Sequence, residues 1–138
     1  MFKRILLAVD GSIHSVRAAE YAVGLAKKFD SEIAAVYVVD GDTAKQDVLQ
    51  GTSEFQIEAK RRGKIKPIRK LLDGSGVSFK THILHGDPGP TIVDFANKNQ
   101  FDCVLIGSRG LNNFQSFLLG SVSHKVAKRV QCPVLIVK

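Results

Sequence analysis

The residues of this chain best suited to chemistry lie together in residues 107–121: Gly107-Ser108-Arg109-Gly110-Leu111-Asn112-Asn113-Phe114-Gln115-Ser116-Phe117-Leu118-Leu119-Gly120-Ser121. Glycine lets a backbone approach a phosphate closely and turn several N–H groups toward it. Arg109 supplies a cation, and Ser121 and Ser123 supply hydroxyl donors. An apolar run ends at Gly107 and an amphipathic stretch begins near Ser121. The segment therefore leads from a strand into a helix whose first N–H groups lack partners and whose dipole favours an anion. This pattern points to a phosphate cradle; the alternative is three glycines that serve only turns and a helix cap. A Walker loop requires Lys-Ser or Lys-Thr after its last glycine, and here Ser121-Val122 follows Gly120. Nor does Asp10-Gly11-Ser12, after the first apolar run, give the tight glycine spacing of the dinucleotide fingerprint.

The elements that must position this segment follow from periodicity. Residues 5–9 are a continuous apolar run of strand length, and Ser12 is placed to cap a helix with the stripe Val16, Ala19, Val23, Ala26. Residues 33–39 form a second, β-branched run, so the start of the chain reads as a βαβ unit. Residues 41–53 are polar and aperiodic and are expected to be a mobile loop. Residues 54–72 read as a helix that Gly63 and Pro67 should kink or shorten, with a stop at residues 73–76. Val77, Phe79, Thr81 and Ile83 alternate with polar residues, as in a strand at a sheet edge. A helix opening at Pro88 with Asp87 as its cap, a strand over 103–106, the helix after Gly120 and a last strand over 134–137 complete the series. Five strands alternating with four helices predict one α/β domain over residues 1–138, a parallel sheet with helices on both faces.

In such a sheet, ligands bind beyond the carboxyl ends of the strands, where strand order reverses. The spacing of Gly107, Gly110, Gly120 and Ser121 resembles the nucleotide signature of the ATP-binding branch of the universal stress protein family. ILLAVDGS at the start, AVYVVD, HGDP and the closing CPVLIVK resemble that family too, so the likeness covers essentially the whole chain. It implies a Rossmann-like sheet in the order 3-2-1-4-5, with strands 1 and 4 adjacent at the switch point. It also implies that Gly107, Arg109 and Gly110 hold ribose and phosphates. Gly120, Ser121, Val122 and Ser123 would give donors to the phosphates, while Ala8, Asp10 and Val38 would line the adenine and ribose end. Asp10 has an alternative role as a cap of the first helix, although Ser12 is better placed for that. ATP is the ligand implied, with AMP, a cyclic nucleotide or another nucleotide as alternatives. Mg²⁺ would lean on the phosphates and Asp10, since no dedicated carboxylate cluster is legible. A homodimer through residues 134–137 is implied as well, and it covers an apolar edge strand that would otherwise be a pairing hazard.

The remaining candidates are weaker. His14, His82, His85 and His124 lack metal-ligand spacing, and His85 alone falls near the expected crevice. Cys103 sits within an apolar run and Cys132 precedes Pro133, so neither reads as an activated thiol. Leu111, Phe114, Phe117, Leu118 and Leu119 must pack somewhere, over the ligand or on a neighbouring subunit. With 44% hydrophobic and 24% charged residues in 138, the chain is neither disordered nor fibrous. Two cysteines and no apolar stretch of spanning length predict a soluble cytoplasmic protein with no membrane contact. The net charge is +7, and Lys60, Arg61, Arg62, Lys64, Lys66, Arg69 and Lys70 run together without an acid. Without interleaved aromatics that run reads as a solvated helix face rather than a nucleic-acid footprint. The expected function is nucleotide-linked regulation of an unnamed protein partner, with at most slow hydrolysis. The alternative is a hydrolase or transferase assisted by Asp10 or His85.

Overall fold

The computed structural model describes residues 1–110 and 119–138, with Thr43 by its backbone only. Leu111, Phe114, Phe117 and Leu118, and with them most of the glycine-flanked loop, lie outside the described residues. The order of elements is β1 (Arg4–Val9), α1 (Ile13–Phe29), β2 (Glu32–Val39), α2 (Gly41–Leu49), α3 (Glu54–Ser75), β3 (Ser78–His85), α4 (Pro88–Asn99), β4 (Cys103–Gly107), α5 (Ser121–Arg129) and β5 (Val134–Val137). All five strands are parallel, in the order β3-β2-β1-β4-β5.

The continuous apolar runs become the strands covered on both faces, because alternate side chains point to opposite sides of a sheet. Ile5, Leu7, Val9, Ile33, Ala35, Cys103 and Leu105 pack with α1 and α3. Leu6, Ala8, Ala34, Val36, Val104 and Ile106 pack with α4 and α5. The alternating run forms β3 at one edge, as its pattern predicts, and β5 forms the other edge.

Ser12 caps α1, its hydroxyl accepting the Ser15 N–H at 3.2 Å. The buried face of α1 is Ser15, Ala18, Ala19, Ala22 and Ala26; Val16 and Val23 are only partly covered. Small residues bring this helix close enough to the sheet that bulkier ones are displaced to its flanks.

Three expectations are corrected. Residues 41–49, expected to be loop, form α2; the fourth expected helix therefore becomes a fifth. Its hydrophobic period is absent because, among its described side chains, the one it buries deeply is Asp47. The stretch at 54–72 is a single continuous helix that runs on through Asp73, Gly74 and Ser75 and stops only at Gly76, whose φ is +77°. A capping box between Ser53 and Gln56 starts it, and Ile65, Ile68 and Leu72 anchor it in the core. Pro67 is exposed and lies inside the helix without ending it. Asp87 stands at the N-cap of α4 but makes no capping bond with its side chain; Pro88 at the first position is as expected.

Candidate functional site

β1 and β4 are neighbours while their chain connections run to opposite sides, so a crevice opens at their carboxyl ends. The crevice is a cavity of about 460 Å³, within the range of ligand sites. Ala8, Asp10, Val38, Gly107, Arg109, Gly110, Gly120, Ser121, Val122 and Ser123, all ten residues singled out from sequence, line it. Tyr37, Asp40, Gln46, Lys60, Lys64, Pro88 and Ile92 line it too; of these the sequence marked only Lys60 and Lys64, as part of the basic run, and Pro88, as the start of a helix.

The glycines do different work. A β-carbon on Gly107 would lie 2.7 Å from His14 Cβ and 3.0 Å from the His14 carbonyl, so this glycine lets the first turn of α1 touch the end of β4. A β-carbon on Gly110 would lie 2.7 Å from Asp10 Oδ2, which puts the loop directly against the end of β1. Gly120 donates its N–H to Ser108 O at 2.9 Å, and Ser108 donates to Val137 O at 2.8 Å. The two ends of the loop are thereby tied to each other and to β5.

α5 begins at the cavity, and among the described residues no side chain caps its N-terminus. Gly120 is its N-cap and offers no side chain, and the first intrahelical bond runs from His124 N–H to Gly120 O at 2.9 Å. The N–H groups of Ser121, Val122 and Ser123 precede that bond and have no carbonyl of the helix to meet. The Ser123 hydroxyl, expected to serve a ligand, donates instead to Gly107 O at 2.6 Å and is buried. It fastens α5 to β4, and the donor left to Ser123 is its backbone N–H.

Asp10 does not cap α1. Its Oδ1 accepts the Ser12 N–H at 2.9 Å, which fixes the carboxylate at the strand end. Tyr37 beside it has its phenol pushed above the ordinary value, chiefly by burial and then by Asp40, so it remains a protonated donor. Lys60 pairs with Asp47 at 3.1 Å, joining α3 to α2 at the rim.

His85 does not line the cavity; its Nε2 lies 3.1 Å from Arg61 Nη1. His82 packs on Phe95. Among the described residues no three His, Cys, Asp or Glu side chains converge as a metal site. Burial pushes the Cys103 thiol up to about 11 and raises that of Cys132, the opposite of activation. Among the described residues no helix is long and apolar enough to cross a membrane.

The family model of the universal stress proteins matches residues 1–138. The chain belongs to this family. Universal stress protein MJ0531 of Methanocaldococcus jannaschii is 38% identical over 141 residues, covering 100% of this chain and 83% of that protein. The solved structure of hypothetical protein MJ0577 superposes with a TM-score of 0.87 at 29% identity, covering 100% of this chain and 96% of the other. Two more distant structures, both 21% identical, share the universal stress protein fold. One is a universal stress protein in complex with cAMP (TM-score 0.72, covering 99% of this chain and 96% of the other). The other is a family protein from Arabidopsis thaliana with AMP bound (TM-score 0.70, covering 99% and 91%).

The sequence signal for the cradle was its glycine spacing. No comparable signal marked Tyr37 and Gln46, and Lys60 and Lys64 stood out only as part of the basic run; all four reach the cavity through the packing of β2, α2 and α3.

Proposed function

We propose that this universal stress protein is an adenine-nucleotide-binding regulatory module whose ligand is ATP, acting as a single cytoplasmic domain and as a homodimer through β5. The observation that carries the reading is the open N-terminus of α5 at the switch-point cavity, facing a glycine loop. Three N–H groups and the positive end of a helix dipole there match a phosphate. In this reading Gly110, Gly120, Ser121, Val122 and the Ser123 N–H hold phosphate, Arg109 and Asp10 meet ribose and phosphates, and Ala8 and Val38 flank the base. Any Mg²⁺ travels with the phosphates and leans on Asp10. AMP or a cyclic nucleotide is the second reading, supported by the two solved relatives that hold AMP and cAMP. Hydrolysis is slow at most, because Asp10 is engaged by the Ser12 N–H and His85 by Arg61. An unidentified protein partner would read the ligand-dependent state of the loop.

Calorimetric titration with ATP tests this, on the parent and on Gly120→Val. A β-carbon at Gly120 makes only ordinary contacts of 3.6 to 3.7 Å with the backbone of Ser108, Arg109 and Gly110, so the fold should survive while the branched side chain fills the cradle. Binding by the parent and loss in the variant is expected. No heat with the parent at millimolar ATP overturns the ATP reading.

A further inference from the structure

The basic run at residues 60–70 is divided by the fold. Arg62 pairs with Glu58 at 2.9 Å, Arg61 reaches His85, and Lys66, Arg69 and Lys70 are exposed. Lys60 and Lys64, one turn apart on α3, line the cavity. α3 packs on the α1 face of the sheet and α5 on the opposite face, so these two lysines line the cavity from the wall across from the cradle.

Lys64 is contiguous with the cradle. A β-carbon on Gly11 would lie 3.4 Å from Lys64 Cδ, and Asp10, the next residue, abuts Gly110. The lysine stem, the end of β1 and the glycine loop therefore touch in series. Lys64 makes no ion pair among the described residues. Lys60 is oriented by Asp47, whose side chain is 3% exposed against 54% for the lysine. A buried carboxylate holding a half-exposed ammonium at the rim keeps that cation in place whether or not a ligand is present.

The open turn of α5 has reach for about one phosphate group, because the dipole acts only within the first turn. A single phosphate seated there leaves Lys64 on the opposite wall without an ion-pair partner among the described residues, beside a Lys60 that Asp47 already holds in place. We infer that Lys60 and Lys64 set the ligand class of this cavity: they contact the outer phosphates of a nucleoside polyphosphate and make the site select di- and triphosphates over monophosphates and cyclic monophosphates. This rests on the nucleotide reading above and deepens it, placing the count of phosphates on α3 rather than on the glycine loop.

Calorimetric titrations with ATP, AMP and cyclic AMP on the full chain and on Lys64→Gln, Lys60→Gln and the double variant test it. ATP is expected to bind the parent at least about tenfold more tightly than either monophosphate, and Lys64→Gln to weaken ATP about tenfold while moving AMP and cyclic AMP less than about twofold. Lys60→Gln leaves Asp47 buried without its cation and can loosen α2. Lys64→Gln breaks no described ion pair, so it decides the question, with a melting curve to show that the fold is intact. The inference is overturned if AMP or cyclic AMP binds the parent as tightly as ATP. It is also overturned if Lys64→Gln leaves ATP unaffected or weakens all three nucleotides alike. A parent that binds none of them overturns the nucleotide reading itself, and this inference with it.

Discussion

Gly107 and Cys103, at the two ends of β4, show how little latitude single positions have in the middle of this sheet. Gly107→Ala drives a methyl group into the His14 backbone, which neither side can yield without moving α1 or β4. The expected loss is about 1–3 kcal/mol in a urea titration. Gly120→Ala, whose added carbon meets only ordinary contacts, should cost far less in the same measurement. At Cys103 the folded thiol titrates at about 11 against an ordinary 9.0, mainly because burial penalises the thiolate. Its contribution is fully present below pH 9 and is lost as pH rises through 11. Stability should therefore fall by about 2 kcal/mol across that window, and a Cys103→Ala variant should lack this part of the slope. Tyr37, raised for the same first reason, adds a fall of the same sign that begins above its ordinary value of 10.0. At this scale the glycine signature was legible because backbone approach needs glycine at fixed spacing. The further role of Gly107 was hidden, since a tight contact between α1 and β4 leaves no mark in either segment alone.

Elements were legible where burial is apolar and periodic. β1, β2 and β4 are covered on both faces and announce themselves as unbroken apolar runs; β3, covered less, alternates. α2 escaped because its buried anchor is a carboxylate, Asp47, matched by a lysine on the next helix. Helix formers at Ala44, Lys45, Gln46 and Leu49 and an acid in the first turn were the remaining signals. The lysines of the site were hidden in a charge run, where Lys60 and Lys64 share the i, i+4 spacing with Arg62 and Lys66 and with Lys66 and Lys70, so spacing alone could not pick them out. α3 also carries more backbone cost than its role requires. A β-carbon at Gly63 would meet open space, and the residue is helical. Gly63→Ala should raise the unfolding free energy by about 0.5–1 kcal/mol, read from the urea midpoint at unchanged slope.

At the scale of the molecule, half of the backbone of β5 has no partner among the described residues. Val104 N–H donates to Pro133 O and Ser108 N–H to Val137 O, so the odd-numbered residues of β5 face β4. Val134 and Ile136 then turn their N–H and C=O groups outward from a short apolar edge. The proposed homodimer satisfies those groups with a second copy. Leu135, 39% exposed on this strand, is the place to test it. Sedimentation should find a dimer for the parent and a monomer for Leu135→Lys, since the two-fold brings two like charges together at the edge. A parent that sediments as a monomer at tens of micromolar would remove β5 as the interface.

The strand order also has a consequence for synthesis. β1 is made first and sits at the centre of the sheet, yet Ile5 pairs with Cys103 and Leu7 with Leu105. At translation rates of about 5–20 residues per second, one edge of that apolar strand waits several seconds for its partner to leave the ribosome. During that interval a chain carrying β1, β2 and β3 exposes the open side of its most hydrophobic strand. Nascent chains stopped before residue 103 should accordingly be bound by holdase chaperones, and chains extended past β5 should be released.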